Sequence, residues 1–226
     1  NNAFILSNFD VVFILNPDTY LIDNPINKLF NFMEKNQDVA LLGPTLLSIT
    51  NKVHQSCWRK TTLINTLLSL LHLEKINNHK NYNKQLFKNP TKVDSISGGA
   101  FFVRSSIFKR MKGFNANLFW MEDIDFCLRL SKLGHQVYYF PSAKIVHYIG
   151  KSSDRNMKIV IYNQLMSKIK YFKIHHSKFE TFILTVSILL ISLIKSTLLI
   201  FTLPFKRFNL KKLLGYLSVI KNIIKN

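Results

Sequence analysis

Three short stretches carry side chains able to do chemistry, each where an apolar run gives way to polar residues. Asn16-Pro17-Asp18 follows the run Asp10 to Leu15, DVVFIL. A carboxylate fixed in a turn at a strand end is placed to hold a divalent cation against a diphosphate, although Asn-Pro-Asp is also an ordinary turn. Glu122-Asp123-Ile124-Asp125 puts three acids within four residues at the start of a helical pattern. The helix dipole by itself accounts for acids in a first turn. Phe119, Trp120 and Met121 stand just before them, and an apolar wall beside a carboxylate raises its pKa toward the range useful to a general base. His147 ends an apolar strand alone, which suits a structural histidine or a metal ligand. Cys57 and Cys127 are too few for a disulfide framework or a four-thiolate metal site. Cys127 falls in an apolar helical pattern and reads as a buried thiol, which favours a reducing compartment.

The elements that position these groups read as strands alternating with helices. The run DVVFIL is a buried strand ending in a polar loop, and Asn24-Pro25 opens an amphipathic helix through Ile26, Leu29, Phe30 and Met33 that closes near Lys35-Asn36. Val39 to Leu42 reads as a second strand stopped by Gly43-Pro44. A helix-like segment around Leu63 to Leu73 leads into NNHKNYNKQ, which reads as a mobile surface loop. Val93 to Ile96 precedes the small-residue break Ser97-Gly98-Gly99 and the strand Ala100 to Val103, after which Ser105 caps a short helix ending at Gly113. The helix from Glu122 carries Ile124, Leu128 and Leu133 on one side and stops at Gly134. Val137 to Phe140 and Lys144 to His147 then read as two strands separated by Pro141. The order predicts an α/β sheet with helices on its faces. Ligand sites in such sheets gather at the carboxyl ends of strands, so the three polar stretches are expected to converge. No internal repeat, zinc-type Cys/His spacing, phosphate-binding glycine loop or dinucleotide fingerprint is visible.

Charge separates the chain into two parts. The 226 residues hold 31 Lys+Arg against 12 Asp+Glu, a net charge of +19. Residues 1–150 contain 17 basic and 10 acidic side chains, 17 − 10 = +7, and residues 151–226 contain 14 and 2, 14 − 2 = +12. Such asymmetry calls for an anionic partner, a nucleic acid or a lipid surface. Thr181 to Leu203 is an apolar run of membrane-relevant length broken once, by Lys195, with Lys168, Lys170, Lys173 and Lys178 before it and Lys206, Arg207, Lys211 and Lys212 after it. Nucleic-acid tails are basic but seldom this apolar, so a membrane surface is expected and a nucleic acid is not. A Lys in mid-segment costs about 2.5–3.5 kcal/mol on insertion scales, which leaves spanning less secure than association. Phe208 to Asn226 alternates apolar and basic groups like an interfacial amphipathic helix. The alternative is a helical hairpin packed on a soluble domain. The chain opens at Asn1-Asn2 without a basic signal-peptide region.

In combination the motifs are more specific than any of them alone. LNPDT at 15–19, SGGAFFVR at 97–104, GFN…FWMEDIDFCLRLSKLG at 113–134 and YYFPSAKIVHYIGKSS at 138–153 occur in that order. Together they resemble the family 2 inverting glycosyltransferases, particularly the rhamnosyltransferase-like branch that builds bacterial surface polysaccharides. Gln55-Ser56-Cys57-Trp58-Arg59 is similar to a serine-arginine segment of that branch, and a basic, apolar tail is common in it. The resemblance covers about residues 1–175. It implies a GT-A fold, a Rossmann-like mixed sheet with flanking helices over residues 1–175, with a helical, membrane-associated tail over 176–226.

By the same resemblance, Asp123 is the catalytic base and Glu122 its paired acid. Asp18 is the last carboxylate of a metal-binding motif in which Asn16 replaces the usual aspartate, and His147 completes a site for Mn²⁺ or Mg²⁺ on the donor diphosphate. Gly98, Gly99, Arg59 and Trp120 are expected to contact substrate. The donor would be a nucleotide-diphosphate sugar, the acceptor lipid-linked or a growing polysaccharide, and the location the cytoplasmic face of the bacterial inner membrane. The nucleotide-reading strand and aspartate that open this family have no match after Asn1, and roughly 70 residues would complete a domain of ordinary size. A non-catalytic GT-A remnant is therefore the competing expectation. Phe114-Asn115-Ala116-Asn117 also departs from the family, which usually has an acid after the phenylalanine.

Overall fold

A computed structural model describes residues 9–73, 88–148, 156–202 and 208–225. The expected surface loop NNHKNYNKQ and the opening Asn1-Asn2-Ala3 lie outside these residues. The chain divides into two compact units. The first takes residues up to 61, 78–116 and 122–149; the second takes 62–77, 117–121 and 150–226.

The first unit is built on a six-stranded mixed sheet of order β1-β7-β3-β8-β2, with β5 also paired to β8. The strands are β1 (Val11–Leu15), β2 (Thr19–Ile22), β3 (Val39–Leu47), β5 (Thr91–Lys92), β7 (Ala100–Arg104) and β8 (Gln136–His147), and a two-stranded ladder joins β4 (Cys57–Trp58) to β6 (Ser95–Ile96). The central pair β3 and β8 is parallel, whereas β7 is antiparallel to both β1 and β3. Both faces are covered, so β3 and β7 are almost continuously buried rather than alternating. Phe101 and Val103 face Phe108 of α3 (Ser105–Arg110) and Phe126, Cys127 and Leu130 of α4 (Glu122–Lys132). Phe102 points the other way, onto Leu29 and Met33 of α1 (Pro25–Lys35). Helix α1 starts where expected, with the Asn24 side chain accepting from the Asn27 N–H and Pro25 in the first turn.

Four sequence readings change. Strand β3 runs through Gly43-Pro44 to Leu47 instead of stopping there. A Cβ on Gly43 would lie 2.8 Å from Ile96 side-chain atoms, so glycine permits close approach here rather than ending the strand. Pro44 sits where the β3–β8 register shifts, a place that can spare an N–H. Likewise β8 is one strand, since Pro44 pairs with Phe140 and Thr45 with Lys144, leaving Pro141 to Ala143 as a bulge. The Thr45 hydroxyl donates to the Pro141 carbonyl at 3.1 Å and bonds the Tyr139 hydroxyl at 2.6 Å, which satisfies polar groups at that bulge. Ser105 is the first helical residue of α3, not its cap: Arg104 holds that position and makes no side-chain capping bond. Finally, α4 buries Phe126, Cys127 and Leu130, while Leu133 is exposed. Gly43→Ala is expected to cost about 1–3 kcal/mol of stability by overpacking against Ile96, read from a denaturant midpoint that falls at unchanged slope.

The second unit is helical, with α2 (Leu63–Leu70), α5 (Met157–His175), α6 (Lys178–Thr202) and α7 (Phe208–Lys225). Helix α7 packs on α5 and α6. A Cβ on Gly215 of α7 would lie 3.0 Å from Ile161 of α5, which marks how closely those helices meet. Among the described helices, α6 alone is long and apolar enough to cross a bilayer, and only 22% of its most apolar stretch is buried. Its amphipathicity is inverted. Thr181, Ser192 and Ser196 are buried with Leu184 and Ile188, while Phe182, Leu190, Ile194, Leu198 and Phe201 are exposed.

Candidate active site

The turn between β1 and β2 brings Asn16 and Asp18 beside the end of β8. Strands β2 and β8 pair so that Thr19 faces His147, and the Tyr148 N–H donates to the Asp18 carbonyl at 2.9 Å. The Thr19 hydroxyl closes the turn by donating to the Asn16 carbonyl at 2.7 Å. Asp18 Oδ1 then lies 3.0 Å from His147 Nε2, and Asn16 Nδ2 lies 3.2 Å from the same nitrogen. Two of the three polar stretches therefore meet.

The donor set fits a small divalent cation. Two neighbouring ligands about 2.1 Å from an octahedral ion stand about 3.0 Å apart, the spacing observed between the Asp18 oxygen and the His147 nitrogen. A carboxylate oxygen with an imidazole nitrogen suits Mn²⁺ better than Mg²⁺, which prefers oxygen ligands, and the Asn16 amide can turn its oxygen toward the same point. Among the described residues no cluster of three or more His, Cys, Asp or Glu side chains forms a metal site. The remaining positions around an ion would go to Asn16, water and substrate oxygens. The His147 Nδ1 is buried and has no hydrogen-bond partner among the described residues. The ring packs closely on Gly99, where a Cβ would lie 3.2 Å from its Cε1 and Nδ1.

The third stretch approaches the same loop from α4. Asp123 Oδ2 accepts the Gly98 N–H at 2.8 Å, and Oδ1 accepts the Ile124 N–H at 2.8 Å. A Cβ on Gly98 would lie 3.4 Å from the Asp123 Cβ. The adjacent glycines thus divide the work: Gly98 lies against the carboxylate and Gly99 against the histidine. Ser97 fixes the loop, its hydroxyl accepting the Gly99 N–H at 3.2 Å, and the Gly99 carbonyl accepts the Asn16 N–H at 3.1 Å.

Electrostatics distinguish the acids of α4. Burial pushes the Asp123 pKa up to about 6 from 3.8, the Gly98 N–H working against this and the Glu122 charge with it. Asp125 is fully buried and bonded to Arg129 Nε at 2.8 Å. That guanidinium also donates to the carbonyls of Met111 and Gly113, so the pair holds a turn in place. The two thiols are buried and unreactive, that of Cys57 pushed up to about 12 by burial.

The remaining expected site residues are spread out. The register Cys57 to Ile96 and Trp58 to Ser95, with the Ser97 N–H donating to the Ser56 carbonyl, puts Ser56 beside the glycine loop. Arg59 is exposed at the opposite end of that short ladder, where the neighbouring Lys60 N–H donates to Asp94. Trp120 belongs to the 117–121 segment of the second unit, is 39% exposed and has φ +96°. Such a backbone conformation costs energy in a residue with a Cβ. Thr19 and Ser97 are the supporting residues that reading by residue type passed over; their adjacency to Asp18 and Gly98 is the only sequence signal for them.

The sequence profile of glycosyl transferase family group 2 matches residues 11–210. Rhamnosyltransferase WbbL of Escherichia coli (strain K12) is 28% identical over 140 residues, which is 62% of this chain and 52% of that protein. The N-acetylglucosaminyl-diphospho-decaprenol L-rhamnosyltransferase of Mycobacterium tuberculosis is 27% identical over 152 residues, 65% of this chain and 50% of the other. The chain thus spans about half the length of these relatives. Among solved structures, the mannosyltransferase PcManGT from Pyrobaculum calidifontis, in complex with GDP-Man and Mn²⁺, aligns at a TM-score of 0.47 and 10% identity, over 98% of this chain and 64% of that one.

Proposed function

Because the chain belongs to glycosyl transferase family group 2, we propose that it forms part of an inverting glycosyltransferase in which Asp123 is the general base. The observation that carries this reading is the glycine loop, with a carboxylate of raised pKa against Gly98 and the Asp18–His147 pair against Gly99. The acceptor hydroxyl gives its proton to the Asp123 carboxylate while its oxygen attacks the anomeric carbon of the donor. The bond from that carbon to the diphosphate oxygen breaks on the opposite face, so the configuration inverts. Glu122 beside the base acts electrostatically to raise its proton affinity. Asp18 and His147, with Asn16, would hold a Mn²⁺ or Mg²⁺ ion, which when bound neutralises charge on the leaving diphosphate. Gly98 and Gly99 let the Asp123 carboxylate and the His147 ring come up against the loop, and Arg59 is a candidate substrate contact.

In this reading the donor is a nucleotide-diphosphate sugar and the acceptor a lipid-linked glycan or growing polysaccharide. Rhamnose is the first donor to assay, since both bacterial relatives are named rhamnosyltransferases. Transfer by the complete protein from a panel of nucleotide sugars to a membrane lipid extract tests the proposal, and donor hydrolysis without transfer would refute it. The pH profile tests the base. The proton-free carboxylate is the active form, so kcat/KM should rise tenfold per pH unit below about 6 and level off above it. An acid limb near pH 4 would mean that the essential group does not sit in this buried position.

Residues 176–226 would hold the protein at the cytoplasmic face of the bacterial inner membrane, with residues 1–175 carrying the transferase part. The exposed apolar side of α6 supports this, since a patch so large is uncommon on soluble monomers. Flotation with anionic liposomes checks it. The intact protein should float, and binding should weaken as salt rises, because each lysine near the surface contributes about 1 kcal/mol. A protein that stays in solution without detergent and ignores the vesicles would end this reading of the tail.

A further inference from the structure

Helix α6 has two unlike faces along most of its length. Phe182, Val186, Leu190, Ile194, Leu198 and Phe201 succeed one another every three or four residues, and all are exposed. They make an uncharged strip about 28 Å long at the helical rise of about 1.5 Å per residue. Leu184, Ile188, Ser192 and Ser196 repeat every four residues on the other side and are buried. Helices α5 and α7 pack against α6. Lys195, the one charge in the apolar run, stands on the covered side, with its Nζ 5.7 Å from the Tyr216 ring centroid of α7.

Helix α7 runs back alongside α6. The Asn209 side chain donates to Thr202 Oγ1 at 2.8 Å, and seven residues further along α7 Tyr216 meets Lys195, seven residues earlier in α6. The two helices are therefore antiparallel, in a register that sets Lys221 level with Leu190, the middle of α6, and Lys225 level with Val186. Both lysines are exposed, and α7 contains no Asp or Glu. If α6 crossed a bilayer, the helix packed on it would enter too, and Lys221 would lie near the midplane. Charges at that depth are strongly disfavoured. An apolar strip on a helix whose partners must stay at the polar surface suits one leaflet instead. Residues 151–226 carry 14 basic and 2 acidic side chains, 14 − 2 = +12, so an anionic leaflet complements this surface and a second, equally cationic copy does not. We propose that α6 lies in the plane of the membrane, its strip sunk into the acyl boundary of one leaflet and both its ends on the same side. The proposal rests on the membrane reading of the tail and makes the binding monotopic rather than spanning.

The test measures depth in vesicles of phosphatidylcholine and phosphatidylglycerol, using the intact protein with a nitroxide on Phe182→Cys, Leu190→Cys or Leu198→Cys. These positions are exposed, so the substitutions spare the fold, and the native Cys57 and Cys127 are buried away from the label. In the plane of the membrane, all three labels should lie at one shallow depth, about 5–10 Å into the headgroup and acyl boundary. A spanning helix would put the Leu190 label about 12 Å deeper than the other two, because eight residues separate it from each. That profile overturns the proposal. Sidedness is the second arm and leaves the strip intact. Lys178→Cys at the start of α6 and Lys211→Cys near its other end should both react with an impermeant maleimide added outside sealed vesicles; protection of either until the vesicles are opened contradicts the proposal. Protein that does not float with the vesicles fails the membrane reading itself and this proposal with it. Protein that floats with the spanning profile, or with all three labels open to water, fails this proposal alone. Labels already shielded from water without vesicles would assign the strip to a contact between protein chains and overturn the lipid assignment.

Discussion

Asp123→Asn should leave the complete protein folded and able to hold its donor, while sugar transfer falls by about 10²–10⁴-fold. The amide occupies nearly the same space as the carboxylate but cannot accept the acceptor's proton. Two opposing effects keep the stability change small. One of the N–H groups of Gly98 and Ile124, each 2.8 Å from a carboxylate oxygen, would face an NH₂ group and lose its acceptor. Against this, the substitution removes a charge whose burial is unfavourable, as its raised pKa shows. Donor affinity and the thermal midpoint measured beside turnover separate a lost base from a lost fold. A variant that retained more than about half of wild-type turnover could not have lost its base.

Asp18→Ala and His147→Ala should each lower transfer at limiting Mn²⁺ by about 10²-fold or more, since charge stabilisation by a bound ion is worth several kcal/mol. Their side chains meet at 3.0 Å, so the two losses should not be independent. If they share one ion, the double variant is expected to fall little below either single one, and excess Mn²⁺ should recover part of the activity of each single variant. Additive losses without metal rescue would show that the pair only fastens β2 to β8.

The parts legible in the sequence were those that depend on local chemistry. Asn24-Pro25 announced α1 because a cap and an N1 proline act within one turn. Asp18 and His147 stand 3.0 Å apart because both lie at ends of strands that turn out to pair. What sequence could not supply was tertiary in origin. Gly43 and Pro44 are breakers by propensity, yet the close approach of Ile96 and a register shift turn both into parts of β3. Strand β2 was missed because Thr19–Ile22 directly follows a turn, and its pairing with β8 comes from a partner more than a hundred residues away. The different neighbours of Gly98 and Gly99 were equally invisible, since only the packing of α4 and β8 assigns one to Asp123 and the other to His147.

The most direct measurement of the central claim is the anomeric configuration of the product, read by NMR from the complete protein acting on a nucleotide sugar of known configuration. A single displacement assisted by Asp123 predicts that every product molecule carries the anomeric configuration opposite to the donor's, with the Asp123→Asn variant forming the same product at a rate lower by about 10²–10⁴-fold. A product that keeps the donor's configuration would require a different mechanism, and equal rates for the two proteins would remove Asp123 from it.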